Sequence, residues 1–322
     1  MSSSVLGSQS SSSSDSARLI VILGPTASGK SALAIDLAEK LNGEILVCDS
    51  TQVYRHFDIG TAKVPLAEQR GIPHHLVDLV ESDEVFTAGD YQRRAVEALN
   101  DLRQRGKLPI LTAGTGLYLR ALLQGLSEAP QRSEELRGRL RSIVQRRGPE
   151  HLHRILLRLD APAASRISPR DTQKIIRAIE MRLLAGKRVD EIHSSGRSGL
   201  EGYSITKIGL NPPRAALYAR INSRATQMMD LGWLEEVRNL MARGVPPDTK
   251  PFQFIGYSEL RQVIEGRLSE EKALEKIRQA TRNFAKRQLT WFRREPDVSW
   301  LSGFGDDPQI LAQALAVLRI LS

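Results

Sequence analysis

Apolar residues along this chain fall into two textures. Short, largely apolar runs occur at 19–23, 44–48 and 108–112, and strand composition returns in "YSITKIGL" at 203–210. Runs this short, rich in β-branched residues and bounded by glycine or polar residues, read as strands buried on both faces, the habit of a parallel sheet. After the first run, Ala32, Leu33, Ile35, Leu37, Ala38 and Leu41 recur at helical spacing. Strand, turn and helix in alternation predict an α/β fold with helices flanking the sheet.

The texture changes from about 127 to about 200. "SEELRGRLRSIVQRRGPEHLHRILLRLD" and "SPRDTQKIIRAIEMRLLAGK" are arginine-rich, have helical spacing and contain no buried-strand run. Ser168-Pro169-Arg170-Asp171 predicts a helix start, with serine as the cap and proline at the first helical position. The last third is mostly helical. Leu217, Ile221, Met228, Leu231 and Val237 recur at near-helical spacing, and a helix from near Ser269 carries Ala273, Ile277, Ala280, Phe284 and Trp291 as a core stripe beside Arg278, Arg282 and Lys286. The predicted organisation is a serine-rich disordered tail at 1–17, a core built from 18–126 and 202–322, and a helical insertion at 127–201.

Composition narrows the class. The chain has 322 residues, 41% of them hydrophobic, enough for a full core, and no stretch approaches the ~18 apolar residues of a membrane span. The start has neither a basic flank nor an apolar centre, so it is not read as a secretory signal. Cys48 is the single cysteine, which excludes an internal disulfide and suits a reducing, cytoplasmic setting; at a strand end it reads as a small core residue. A net charge of +9 favours an anionic macromolecule as partner, nucleic acid before membrane.

Chemistry enters with Gly24-Pro25-Thr26-Ala27-Ser28-Gly29-Lys30-Ser31, which fills every fixed position of G-x-x-x-x-G-K-[ST] between a strand and a helix. In that context backbone N–H groups converge on phosphate oxygens, Lys30 adds a point charge, and the Ser31 hydroxyl can ligate Mg²⁺. The fold expectation is a P-loop NTPase-like parallel sheet flanked by helices, with a helical insertion domain. In such sheets ligands gather beyond the carboxyl ends of the strands, so Asp49 and Thr115, following the runs at 44–48 and 108–112, share the P-loop's crevice.

The second of those runs ends in Ala113-Gly114-Thr115, without the acidic residue that motor ATPases and GTPases use to hold Mg²⁺. Small-molecule kinases stay open, as does a non-catalytic RNA-binding protein with a structural nucleotide. Asp49 can serve as a general base, with a helix cap or an outer Mg²⁺ partner as the alternatives. His74, His75 and Asp78 lack usable zinc spacing.

"GPTASGKS", "DSTQVYRHFDIGTAK", "HHLVD", "AGTGLYLRALL", "RINSRATQMMDLGWLEEV", "QFIGYSEL" and "AKRQLTWFRR", in that order, closely resemble the bacterial-type tRNA dimethylallyltransferases over about 19–301. The resemblance implies transfer of a dimethylallyl group from dimethylallyl diphosphate to the exocyclic amine of the adenine 3′-adjacent to the anticodon. It implies diphosphate and Mg²⁺ in the P-loop, Asp49 as base, Thr115 at the reacting groups, and Arg220 or Arg224 on the diphosphate. It further implies that Asp49, Ser50, Thr51, Gln52 and Thr115, with Gln173, Lys174, Ile175, Ile176, Arg177 and Arg137 of the insertion, approach a tRNA anticodon stem-loop. The enzyme is expected to be cytoplasmic and monomeric. Ala113 departs from the family pattern, which often has a second glycine there.

Overall fold

A computed structural model describes residues 16–127, 129–194 and 199–320. Its sheet contains β1 (Ala17–Leu23), β2 (Gly43–Cys48), β3 (His74–His75), β4 (Leu108–Ala113), β5 (Tyr203–Leu210) and β6 (Val298–Leu301). They lie in the order β3-β2-β4-β1-β5-β6, every neighbouring pair parallel. The helices are α1 (Lys30–Leu41), α2 (Ala88–Gln104), α3 (Gly116–Gln124), α4 (Glu134–Arg147), α5 (Pro149–Leu159), α6 (Ala161–Arg166), α7 (Thr172–Ala185), α8 (Val189–Ser194), α9 (Arg214–Asp230), α10 (Trp233–Ala242), α11 (Tyr257–Ile264), α12 (Glu270–Phe292) and α13 (Pro308–Ile320). The chain divides into two compact units, Met1–Leu119 with Leu200–Ser322, and Arg120–Gly199.

β1 runs between β4 and β5 with Val21 level with Leu111 and Lys207. Its residues from Leu19 to Leu23 are essentially sealed from solvent, as the apolar run requires. One sheet face is closed by α1 and α13: Leu33, Leu37, Ile310 and Leu318 share a core with Ile20, Ile45 and Ile208. Each such side chain contributes about 1.5–3 kcal/mol by leaving water. Ala113 ends β4 fully buried between Leu23 and Cys48, so its methyl group is accommodated in the sheet. Ala17, read from sequence as tail, opens β1 opposite Tyr203; the tail up to residue 15 lies outside the described residues, as does 195–198 of the connector after the insertion.

The Arg120–Gly199 unit is helical, with Leu152 and Leu156 of α5 packed on Ile175, Ile176 and Ile179 of α7. The start of α7 differs from the expected one. Ser168–Arg170 forms a turn whose Ser168 carbonyl accepts from Asp171 N at 2.9 Å, and Asp171 is the cap, its Oδ1 accepting from Lys174 N at 3.2 Å. Ser168 Oγ accepts from Arg170 N at 3.4 Å within that turn, which delays the helix start and leaves its first free amides to the Asp171 carboxylate.

Two readings of the last third also change. The spacing from Leu217 to Val237 spans α9 and α10, which break at Leu231 and at Gly232 with φ 94°; Leu231 is exposed. In α12 the buried positions are Ala273, Ile277, Ala285, Gln288 and Phe292, whereas Ala280, Phe284 and Trp291 are half-buried. The basic stripe is not left to solvent alone: Arg278 donates to Thr226 Oγ1 at 2.7 Å and Arg282 to Asn222 Oδ1 at 2.6 Å, which ties α12 to α9.

Candidate active site

β1 ends at Leu23, the chain turns through 24–29, and α1 begins at Lys30. Ala27 and Gly29 are left-handed, with φ 62° and 86°. A Cβ on Gly29 would stand 2.6 Å from Gly305 N, so glycine is required twice over, by conformation and by close approach. That approach brings the loop after β6 onto the P-loop, where Gly305 N donates to Ser28 O at 2.9 Å. The first N–H groups of α1 have no intrahelical partner and carry the positive end of the helix dipole. Ser28 Oγ is buried within the loop and has no hydrogen-bond partner among the described residues. A buried hydroxyl left so costs about 1–3 kcal/mol, which a phosphate oxygen would relieve.

A cavity of about 730 Å³ opens beside this loop, lined among others by Lys30, Asp49, Gln52, Arg224, Phe284 and Gln288. Lys30 Nζ donates to Pro25 O at 2.8 Å. Burial lowers its pKa to about 8; Asp49 pulls it back up and Arg224 presses it further down. Arg224 is held below the ordinary guanidinium value by burial and by Arg220, and among the described residues it forms no hydrogen bond or ion pair. Arg220 is different: it grips Asp306 through two bonds of 2.7 and 2.9 Å and lies 4.7 Å over the Phe304 ring. Of the two predicted arginines, Arg224 offers the cavity an uncommitted cation.

In the same cavity, Asp49 Oδ1 accepts from Thr51 N at 2.9 Å and from Thr51 Oγ1 at 2.7 Å, which fixes the carboxylate. A Cβ on Gly114 would stand 2.6 Å from Asp49 Oδ2, so the tip of β4 leaves room for that oxygen only because residue 114 has no side chain. Thr115 Oγ1 accepts from Ser50 N at 2.9 Å and donates to Ser50 Oγ at 3.2 Å; Thr115 N donates to Cys48 O at 3.0 Å. The tips of β2 and β4 are thus tied together beside the carboxylate. Gln52 Nε2 donates to Thr61 O at 3.0 Å, placing the next loop against the cavity.

The family model described as IPP transferase matches residues 52–295. The chain belongs to the IPP transferase family. A tRNA dimethylallyltransferase of Koribacter versatilis is 51% identical over 305 residues, covering 94% of this chain and 98% of the relative, and one of Solibacter usitatus is 50% identical over 297 residues, covering 92% and 96%. Among solved structures, a tRNA isopentenylpyrophosphate transferase of Staphylococcus epidermidis is similar with TM-score 0.68 and 37% identity, covering 95% of this chain and all of that one. A eukaryotic dimethylallyltransferase captured acting on tRNA is similar with TM-score 0.79 and 27% identity, covering 94% and 78%.

In this IPP transferase the predicted RNA-facing residues of the insertion divide by burial. Gln173 and Lys174 are exposed, Lys174 beside Asp171 at 2.6 Å. Ile175 and Ile176 are fully buried in the helical core, so their side chains cannot meet a ligand. Arg137 is buried too: its Nε and Nη2 each donate to Glu180 at 2.9 Å, and Arg177 Nη1 joins the same carboxylate at 2.7 Å. Arg137 therefore holds α4 to α7 and does not reach toward phosphate. Cys48 is sealed in the sheet, where burial pushes its thiol up to about 12. His75 Nε2 meets Glu44 at 2.7 Å, beside an Arg105–Glu44 pair, and His74 Nδ1 meets Ile72 O at 2.9 Å, so both serve the β3 edge.

Sequence reasoning missed three residues that shape the site. Gln288 bridges two loops, Asp306 holds Arg220, and Glu236 accepts from Ile59 N at 2.7 Å and from the Tyr257 hydroxyl at 2.6 Å, buttressing the segment before Thr61. Only Gln288 had a signal, as an amide on an otherwise apolar helix face.

Proposed function

We propose that this IPP transferase is a tRNA dimethylallyltransferase, moving the dimethylallyl group of dimethylallyl diphosphate to the exocyclic amine of the adenine 3′-adjacent to a tRNA anticodon. The observation that carries the reading is one cavity that gathers two buried cations, Lys30 and Arg224, with a fixed carboxylate, Asp49. The allylic C–O bond breaks and its electron pair leaves on diphosphate, whose growing charge meets Lys30, Arg224 and the α1 amides. The carbon forms a bond to the amine nitrogen, and the amine proton passes to Asp49 and on to solvent. No covalent protein nucleophile is required, because the allylic cation spreads its own charge.

Mg²⁺ fits this donor set. Ser31 Oγ is exposed on the cavity wall, it has no hydrogen bond among the described residues, and hard oxygen ligands from one hydroxyl plus diphosphate suit the ion. When bound, it would neutralise leaving-group charge.

The partner is an anionic RNA, and the charge distribution supports the insertion as its main electrostatic contact. Residues 120–199 contain 17 lysines and arginines against 9 acids, so they account for +8 of the chain's +9. Lys174, Arg170 and Arg147 are among the exposed cations of that unit. The adenine leaves its stack in the loop at a cost of a few kcal/mol. A cytoplasmic, monomeric enzyme completes the reading; among the described residues no helix is long and apolar enough to cross a membrane. Labelled dimethylallyl diphosphate incubated with the enzyme, Mg²⁺ and undermodified tRNA should deliver label to the RNA, whereas label in free adenine nucleotide would assign a different acceptor.

A further inference from the structure

We infer that Gln288 is a positioning residue that fixes the distance between the diphosphate cradle and the proton-accepting wall. The proposal rests on the tRNA dimethylallyltransferase reading and adds to it a residue acting through others.

Gln288 sits near the C-terminal end of α12 and is 6% exposed, a polar side chain among Ala285, Phe292 and the sheet. Both ends of its amide are engaged. Oε1 accepts from Thr26 N in the P-loop at 2.7 Å, and Nε2 donates to Gly114 O at the tip of β4 at 2.8 Å. These partners lie 262 and 174 residues away in sequence; β1–β4 pairing sets the two strand ends side by side, with Leu23 level with Ala113, and the amide ties the loops that extend beyond them.

Each end leads to chemistry. Thr26 begins the turn that delivers Lys30, and its N–H is committed to Gln288, which leaves phosphate to the later amides of the loop. Gly114 is the residue whose missing side chain admits Asp49 Oδ2, and Thr115 beside it holds Ser50 next to Asp49. A single rigid amide therefore sets the span from leaving group to base. The same helix is anchored to α9 through Arg278 and Arg282, whose partners Thr226 and Asn222 flank Arg224, Asn222 also lying two residues from Arg220. α12 thus registers both the cationic and the basic walls.

The amide is required as such, because it accepts toward Thr26 and donates toward Gly114. A carboxylate can do only the first, and it would set a charged oxygen against the Gly114 carbonyl. A protonated carboxylic acid can do both. This difference gives the test. Gln288→Glu and Gln288→Met are assayed for kcat and for KM of donor and tRNA between about pH 6 and pH 8.5, with thermal melting alongside.

For Gln288→Met we expect kcat to fall about 10²-fold, the usual result of displacing reacting groups by ~1 Å, with KM for tRNA unchanged. For Gln288→Glu we expect a similar loss at high pH and a ratio to the unaltered enzyme that rises at least about fivefold as the buried carboxyl becomes protonated toward pH 6. That ratio cancels titrations common to both enzymes, and it stays readable if the methionine variant fails to fold. Two results would overturn the inference: kcat within twofold of normal in folded Gln288→Met or in Gln288→Glu at pH 8.5, or a Gln288→Glu ratio that stays level or falls on acidification. Failure of the whole reading looks different, since the unaltered enzyme would then alkylate no tRNA.

Discussion

Lys30 offers the sharpest quantitative consequence. Burial strips hydration from its ammonium, Asp49 restores part of the loss and Arg224 deepens it, taking the pKa from 10.5 to about 8. That fall corresponds to about 3 kcal/mol against the charged form. A lysine with a lowered folded pKa is charged below that value and loses its proton as pH rises through it, so the free enzyme forfeits the cation above about pH 8. Bound diphosphate supplies the missing counter-charge and returns the pKa toward its ordinary value near ~10.4. The donor's kcat/KM reports free enzyme and should drop about tenfold per pH unit above the break, while kcat, reporting the complex, stays level to about pH 9.5. Phosphate's own last ionisation, near ~6, is complete below this window. Steady-state kinetics at saturating tRNA measure both quantities. Lys30→Arg should lower kcat/KM but abolish the break, since guanidinium keeps its proton, and Arg224→Met should move the break upward. A kcat/KM profile flat to about pH 9.5, or a break that survives Lys30→Arg, would refute the reasoning.

Three further outcomes follow from named contacts. Arg224→Met should reduce donor kcat/KM by about 10²-fold, and Arg220→Met by about tenfold less because Asp306 already neutralises it; equal losses in the two variants would contradict the assignment. Gly114→Ala should leave melting nearly unchanged but lower kcat about 10–100-fold, because the new methyl group meets only the free end of Asp49; an undiminished kcat would remove Asp49 from the reaction. Burial pushes the Glu180 carboxyl up, yet hydrogen bonds from Arg137, Arg177 and Ser133 N overcome it and hold the group at about 2. Its stabilisation is therefore present above the ordinary value of 4.5 and is lost as pH falls toward about 2, so hydrogen exchange should show α4 and α7 opening across that window. At neutral pH, Glu180→Gln should destabilise the Arg120–Gly199 unit by about 3–5 kcal/mol through the buried Arg137; unchanged exchange in α4 and α7 would contradict this.

What could be read from sequence was local. β1, β2 and β4 are largely apolar runs, β5 has strand composition, and the P-loop is a contiguous motif, so all are visible residue by residue. β3 has two residues and β6 four, too short to carry a period, and they become strands only by pairing with β2 and β5. The cap of α7 lies at Asp171 and not at Ser168: Ser168 Oγ accepts from Arg170 N inside the preceding turn, Asp171 Oδ1 accepts from Lys174 N in the helix, and only the folded turn shows which begins the helix. Within the site, Asp49, Lys30 and Thr115 follow from strand ends, whereas the roles of Arg220 and Arg224 separate only through Asp306, 86 residues beyond Arg220. Arg137 shows the opposite error: an arginine in a basic helix resembles a phosphate contact until Glu180 is seen beneath it. Long-range partners carry no signature in a single chain.

The central claim is that Lys30 and Arg224 receive a departing diphosphate while an RNA amine, relieved of its proton at Asp49, captures the carbon. Its most direct test follows doubly labelled dimethylallyl diphosphate, with carbon and phosphorus traced separately, through one turnover on undermodified tRNA. The account predicts carbon label on the adenine next to the anticodon, phosphorus label released as diphosphate in equal amount, and both lost together in Asp49→Asn. Phosphorus transferred to any acceptor, or carbon label reaching RNA at the normal rate without Asp49, would contradict it.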